Sequence, residues 1–252
     1  MKHQTGVQTN MKLSGKSAMT KLLSIVLLLF ILVAVIASAQ TETLPPQEKI
    51  NVFCVVSDNI ETAFKDAAKA LQEEEGLEAF PVKGYQTHCT LYMTQYPLGM
   101  QNEVLAKIEA LASGTKEFAV NSTGLEITSG NWFFMNIERN SSLQKLSDTL
   151  VEQLAPLRAK SDYVPDWAKE FPTKVEYISK YGSPNVYSEF NPHLTFLAKS
   201  DAEKLQRFTG KHADSDFAKI IAGHVVAIGA GLADRDGQIK EPWKIFPLQK
   251  AD

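Results

Sequence analysis

Apolar positions divide the chain into an almost wholly hydrophobic N-terminal run, Leu22–Ile36, and a longer body in which strand and helix periods alternate. In the body, Ile50–Val56 reads as a first buried strand. Ile60, Phe64, Ala67 and Leu71 then recur at helical spacing behind Asp58 or Asn59, and Gly76 stops the pattern. A strand is predicted over about Gln86–Met93, followed by a turn at Tyr96-Pro97-Leu98-Gly99. The next helix, Gln101–Ala112, carries Val104, Leu105, Ile108 and Leu111 as its stripe, with Gly114 as its stop. Phe118–Ile127 and Trp132–Ile137 read as strands joined by Ser129-Gly130-Asn131. Leu143, Leu146, Leu150, Leu154 and Leu157 mark a helix expected to cross from one half of the fold to the other.

Tyr163–Tyr181 is broken by Pro165 and Pro172 and reads as short helical pieces. A strand over Val186–Leu197 follows, then a capping box, Ser200-Asp201-Ala202-Glu203, that opens a helix through Phe208. Val225–Ile228 and Trp243–Phe246 close the chain around an Asp236-Gly237 turn. Strands and helices alternate, yet the short hairpin links require antiparallel pairing. The expected class is α+β: two small antiparallel sheets with helices outside and a cleft between them.

Two phrases stand out, Thr87-His88-Cys89-Thr90-Leu91-Tyr92 and Pro192-His193-Leu194-Thr195-Phe196-Leu197. Each reads His-x-Thr and then an apolar residue, inside a predicted strand. Alternation puts His88 with Thr90, and His193 with Thr195, on one strand face. An imidazole trades protons near neutral pH, and a hydroxyl can donate to a phosphate oxygen. A single His-x-Thr carries no weight, because it arises often by chance. The surroundings repeat as well: His88 precedes Gly124 by 36 residues and Trp132 by 44, while His193 precedes Gly231 by 38 and Trp243 by 50. The pattern is one β-α-β-β unit used twice, with a histidine in each copy.

With its two His-x-Thr motifs 105 residues apart, each followed by an apolar residue (Leu91, Phe196), the chain resembles the 2H phosphoesterases. That superfamily includes 2′-5′ RNA ligase-like proteins and 2′,3′-cyclic phosphodiesterases. The resemblance spans roughly residues 50–248 and implies a bilobal, pseudo-two-fold domain. It implies metal-independent hydrolysis of 2′,3′-cyclic phosphates of nucleotides or RNA ends, with no cofactor. Here His193 would be the base toward water, His88 the acid toward the leaving ribose oxygen, and Thr90 and Thr195 the phosphate donors. Tyr92, at i+4 from His88, is a candidate for stacking on a base. The alternatives are a 2′-5′ oligonucleotide phosphodiesterase or ligase-like enzyme on the same histidines, and a nucleotide-binding module without turnover.

Composition narrows the partner. Residues 1–21 hold four lysines and no acidic residue, and Ala37-Ser38-Ala39 offers a small-x-small cleavage site. Residues 1–39 therefore read as an export signal, with an uncleaved anchor as the rival, and 40–49 as a linker. Removing the leader's four lysines takes the net charge from −3 to −7. So acidic a body is a poor tracker of long nucleic acid, whose affinity rests on neutralising phosphates. The expected partner is a nucleotide or short RNA, bound by a monomer without stable membrane association once the signal is cut. Outside the cytoplasm there is no ATP supply, which disfavours an ATP-driven ligase. Cys54 and Cys89 are either two buried thiols or a disulfide. No His or Cys spacing suggests a metal site. Protein recovered from its host, periplasmic or secreted, is expected to begin at or near Gln40; intact Met1–Ala39 peptides in washed membranes would refute this.

Overall fold

The computed structural model describes residues 46–161 and 163–251. The expected export signal and the first part of the expected linker lie outside those residues. Among the described residues the strands are β1 (Gln47–Val56), β2 (Cys89–Pro97), β3 (Phe118–Ile127), β4 (Phe133–Ile137), β5 (His193–Leu197), β6 (Ile221–Leu232) and β7 (Lys244–Pro247). The helices are α1 (Asp58–Glu75), α2 (Gln101–Ser113), α3 (Ser141–Leu154), α4 (Pro172–Tyr181) and α5 (Ala202–Lys211). None of them is long and apolar enough to cross a membrane.

Local chemistry accounts for several of these boundaries. Gly76 ends α1 in the left-handed conformation, at φ 67°, donating its N–H to Gln72 O. Asn140 caps α3 by accepting from Leu143 N. Asp201 caps α5, accepting from Glu203 N and Lys204 N. The cap therefore sits one residue beyond the Ser200 of the expected capping box. β1 begins at Gln47, inside the stretch expected as linker, because Gln47–Lys49 already pair with β2. The second motif strand is shorter than expected: Tyr187–Glu189 is a 3-10 turn, and pairing starts only at His193.

All pairings between strands are antiparallel, and the α+β class holds. The expected two sheets, however, are one seven-stranded sheet in the order β1-β2-β5-β4-β3-β6-β7, with β1 also paired to β6, so that it falls into two groups, β2-β1-β6-β7 and β5-β4-β3. The two groups join along β3–β6, from Phe118↔Val225 to Ser122↔Ile221, and again at a single β2–β5 pair, Cys89↔Leu194. Helices cover this network, with α1 against β6 and α5, α2 against β6 and β7, and α3 against β2. One apolar cluster runs from Ile50 and Leu71 through Phe133 and Leu150 to Phe208 and Phe246.

The duplication survives, but its frame moves. β1-α1-β2-α2-β3 matches β4-α3-β5-α5-β6, so the strand equivalent to β4 is β1, and β7 is an addition. Registers carry the correspondence. Phe53↔Thr90 and Cys54↔Cys89 in the first half match Phe134↔Thr195 and Met135↔Leu194 in the second. Each half also gives its third strand to the other half's group, since β3 pairs with β4 and β6 with β1.

Close approach at Gly229 is one condition of this packing. It lies opposite Phe53 on the neighbouring strand. A Cβ there would sit 2.6 Å from Phe53 Cζ and 3.1 Å from Ile245 Cγ1. Gly229→Ala is therefore expected to destabilise the fold by about 1–3 kcal/mol through overpacking. A urea midpoint unchanged from wild type would contradict that.

Candidate active site

Each motif strand carries the same defect. The β1–β2 register passes from Val52↔Tyr92 to Phe53↔Thr90, leaving Leu91 without a partner. The β4–β5 register passes from Phe133↔Leu197 to Phe134↔Thr195, leaving Phe196 without one. A bulge adds one residue and breaks the two-residue alternation. It falls at the apolar fourth position of both motifs, so Leu91 with Tyr92, and Phe196 with Leu197, turn inward as buried pairs.

Tyr92 is thereby taken off the face it was expected to share with His88 and Thr90. Its ring is 1% exposed, and its hydroxyl donates to Tyr181 O at the end of α4. Burial raises its hydroxyl pKa. Tyr92 is a core residue, and the structure does not present its ring for stacking.

The other four predicted residues come together. Cys89 and Leu194 are fully buried, so their neighbours on the strands project from the opposite face. With Cys89 opposite Leu194, antiparallel direction sets His88 toward Thr195 and Thr90 toward His193. His88 and Thr195 line one recess, beside Gln86, Thr87 and Gln238. Instead of facing each other across a gap between two sheets, the half-sites sit side by side on adjacent strands.

Both imidazoles are held in the same way. His88 Nδ1 lies 2.8 Å from Gln86 O, and His193 Nδ1 lies 2.7 Å from Asn191 O, each two residues back along the chain. A carbonyl oxygen only accepts, so Nδ1 carries the proton in both rings. In the neutral ring Nε2 is then the lone-pair nitrogen. The rings are also wedged by matching phenylalanines: Phe53 meets His88 edge-on at 5.4 Å, and Phe134 stacks on His193 at 3.8 Å. Loss of water dominates the electrostatics. Burial lowers the pKa of His88, against the Gln86 hydrogen bond and the charge of Asp234. Burial brings His193 down to about 4, against the bond to Asn191 and the charge of Glu126. Both imidazoles are therefore weaker bases than a free one.

Asn51 is a site residue that the sequence reading passes over. It is fully buried, and its Nδ2 lies 2.9 Å from Thr90 Oγ1, 2.9 Å from Gly237 O and 3.2 Å from His88 Nε2. The available signal was a carboxamide within the apolar run Ile50–Val56. Gly237 belongs to the β6–β7 connection, which also meets the first motif through Gln86 N and Ile239 O. Cys54 and Cys89 are opposite each other on β1 and β2, and both are free thiols. Among the described residues no three His, Cys, Asp or Glu side chains gather so as to hold a metal ion.

No curated protein matches the chain in sequence. Among solved structures, TT0787 of Thermus thermophilus is similar at 13% identity and a TM-score of 0.47, over 81% of this chain and 100% of that one. Apo LigT of E. coli is similar at 12% identity and a TM-score of 0.45, over 81% and 98%. Usb1 of Kluyveromyces marxianus is similar at 10% identity and a TM-score of 0.38, over 80% and 97%. The family profile described as the 2′-5′ RNA ligase superfamily matches residues 56–226, a span that takes in both motif strands and the seam where they meet. On that match the chain belongs to the 2′-5′ RNA ligase superfamily, the 2H phosphoesterases.

Proposed function

We propose that the protein is a phosphodiesterase that opens 2′,3′-cyclic phosphates of nucleotides or RNA ends with two histidines and no metal. Family membership supports phosphodiester chemistry. The observation that carries the finer reading is the matched pair of imidazoles, each with Nδ1 tied to a backbone carbonyl and Nε2 left for proton transfer.

Hydrolysis of the cyclic ester adds a water oxygen to phosphorus and breaks one phosphorus–ribose oxygen bond. In this reading His193 Nε2 takes the proton from water, and His88, protonated at Nε2, delivers one to the departing ribose oxygen. The neutral state that burial imposes on His193 suits it to the first role. The ligand's negative charge favours protonating an imidazole beside it, so substrate supplies the condition for charging His88. Thr90 and Thr195 donate to the non-bridging oxygens, which gain charge toward the transition state. Strain in the five-membered ring lowers the demand on the site, and the acidic body favours a small substrate over a long strand.

Purified His88→Ala and His193→Ala should each lose roughly 10²–10⁴-fold in turnover of 2′,3′-cyclic AMP while keeping their fold, because each removes one proton transfer. Thr90→Ala and Thr195→Ala should lose less. Near-normal turnover from either histidine variant would end the two-histidine mechanism. Parallel assays on a 2′-5′ and a 3′-5′ dinucleotide identify the ester cut, and binding of all three without turnover would favour a nucleotide-binding module.

The lowered pKa values also fix a pH profile. A base needed neutral gives the acid limb of kcat/KM, expected near pH 4, and an acid needed charged gives an alkaline limb below 6.5. The kcat/KM optimum therefore lies on the acid side of 6.5, and the kcat profile, with phosphate bound, lies at higher pH. EDTA should not change either height. A rate rising steadily to high pH, or one abolished by EDTA and restored by a divalent ion, would refute the assignment.

A further inference from the structure

The two half-sites match in register but not in their support. Val52 corresponds to Phe133, so the position equivalent to Asn51 in the second half is Trp132, which offers no carboxamide. Asn51 is thus particular to the His88 half. Its Nδ2 carries two protons and lies within reach of three acceptors, while its Oδ1 is buried without a hydrogen-bond partner among the described residues. Gly237 O can only accept, so it fixes which end of the carboxamide faces His88 and Thr90. Leaving Oδ1 unsatisfied is costly, and an apolar residue of the same shape would relieve that cost. Structural economy alone does not account for this residue.

We propose that Asn51 is a positioning residue that keeps His88 uncharged and the Thr90 hydroxyl proton free until substrate binds. A Thr90 Oγ1 that accepts from Nδ2 can turn its own proton outward to a phosphoryl oxygen. A proton on His88 Nε2 would place two donors 3.2 Å apart, so the carboxamide opposes protonation of the empty site. Other groups also bear on His88. The Asp234 carboxylate, from the β6–β7 connection, favours the charged ring, and a charge on His88 disfavours one on His193 across the seam. Phe53 carries no charge, and the Cys54 thiol has its pKa raised by its hydrogen bond with Cys89 and by burial. Asn51 also ties the first motif to the β6–β7 connection through Gly237 O, so the Thr90 hydroxyl and that connection are held by one side chain.

The kinetic part of this proposal rests on the phosphodiesterase reading; the titration part does not. The test follows the His88 ring protons by NMR against pH in wild type, Asn51→Leu and Asn51→Asp. Removing the donor should raise the His88 midpoint. An aspartate, which accepts and carries charge, should raise it further, by roughly a unit or more. In kinetics on 2′,3′-cyclic AMP, Asn51→Leu should lower kcat/KM at its own pH optimum about tenfold or more, through the lost hold on Thr90, while its alkaline limb moves to higher pH. Adding Thr90→Ala to that variant should cost less than it does in wild type, because the two side chains act as a unit. Folded variants with the wild-type midpoint would overturn the proposal, as would full additivity with Thr90→Ala. If neither variant folds, wild type still decides: a His88 midpoint at or above about 6.5 rules the proposal out. If wild type hydrolyses no cyclic nucleotide, the phosphodiesterase reading fails, while the titration still reports on Asn51.

Discussion

The pairing of Cys89 with Leu194 is where the two motif strands touch, and the candidate site depends on it. Neither half contains a complete site: a His-x-Thr strand supplies one imidazole and one hydroxyl. The seam sets the second pair beside the first in antiparallel sense, so each histidine lies toward the other half's threonine. Because β2 and β5 share so little ladder, the seam needs support from elsewhere. The longer β3–β6 ladder, the β1–β6 ladder and the apolar cluster beneath provide it. The exchange of third strands between halves binds the two sides more firmly than a hinge between separate sheets would.

The paired bulges explain how a motif can present its His and Thr on one face and be buried on the other. The His and Thr positions keep ordinary alternation, with Cys89 or Leu194 pointing into the core between them. The extra residue then turns two successive apolar side chains inward. The fourth, apolar position of each motif is therefore a packing requirement, which anchors the strand just beyond its His and Thr. The same burial that anchors the strand lowers the basicity of both imidazoles. Packing and proton chemistry are coupled here, because Phe53 and Phe134 each wall a histidine while filling space between strands.

The halves differ where each meets its neighbours. The His193 side has Glu126, whose carboxylate accepts from Asn136 Nδ2, and a phenylalanine stacked flat on the ring. The His88 side has Asn51, an edge-on phenylalanine seated over Gly229, and the β6–β7 connection held by Gly237 O. A two-fold backbone thus carries two unlike environments, one around each imidazole.

The sequence by itself determined the α+β class, most of the helix extents and the antiparallel pairing, and it singled out His88, Thr90, His193 and Thr195, which the fold brings together. These follow from local rules: periodicity of apolar residues, capping and stop residues, and chemical side chains repeated in matching surroundings. Tertiary structure decided the rest, because the deciding contacts lie far apart in sequence. Alternation assigned Tyr92 to the site face, and only the paired ladder reveals the bulge that buries it. The linear repeat suggested a β-α-β-β unit, but the registers show β1, not β7, as the counterpart of β4. Whether Cys54 and Cys89 were neighbours depended on the β1–β2 register. Asn51 lies 37 residues from His88 and 186 from Gly237, and no local pattern links the three.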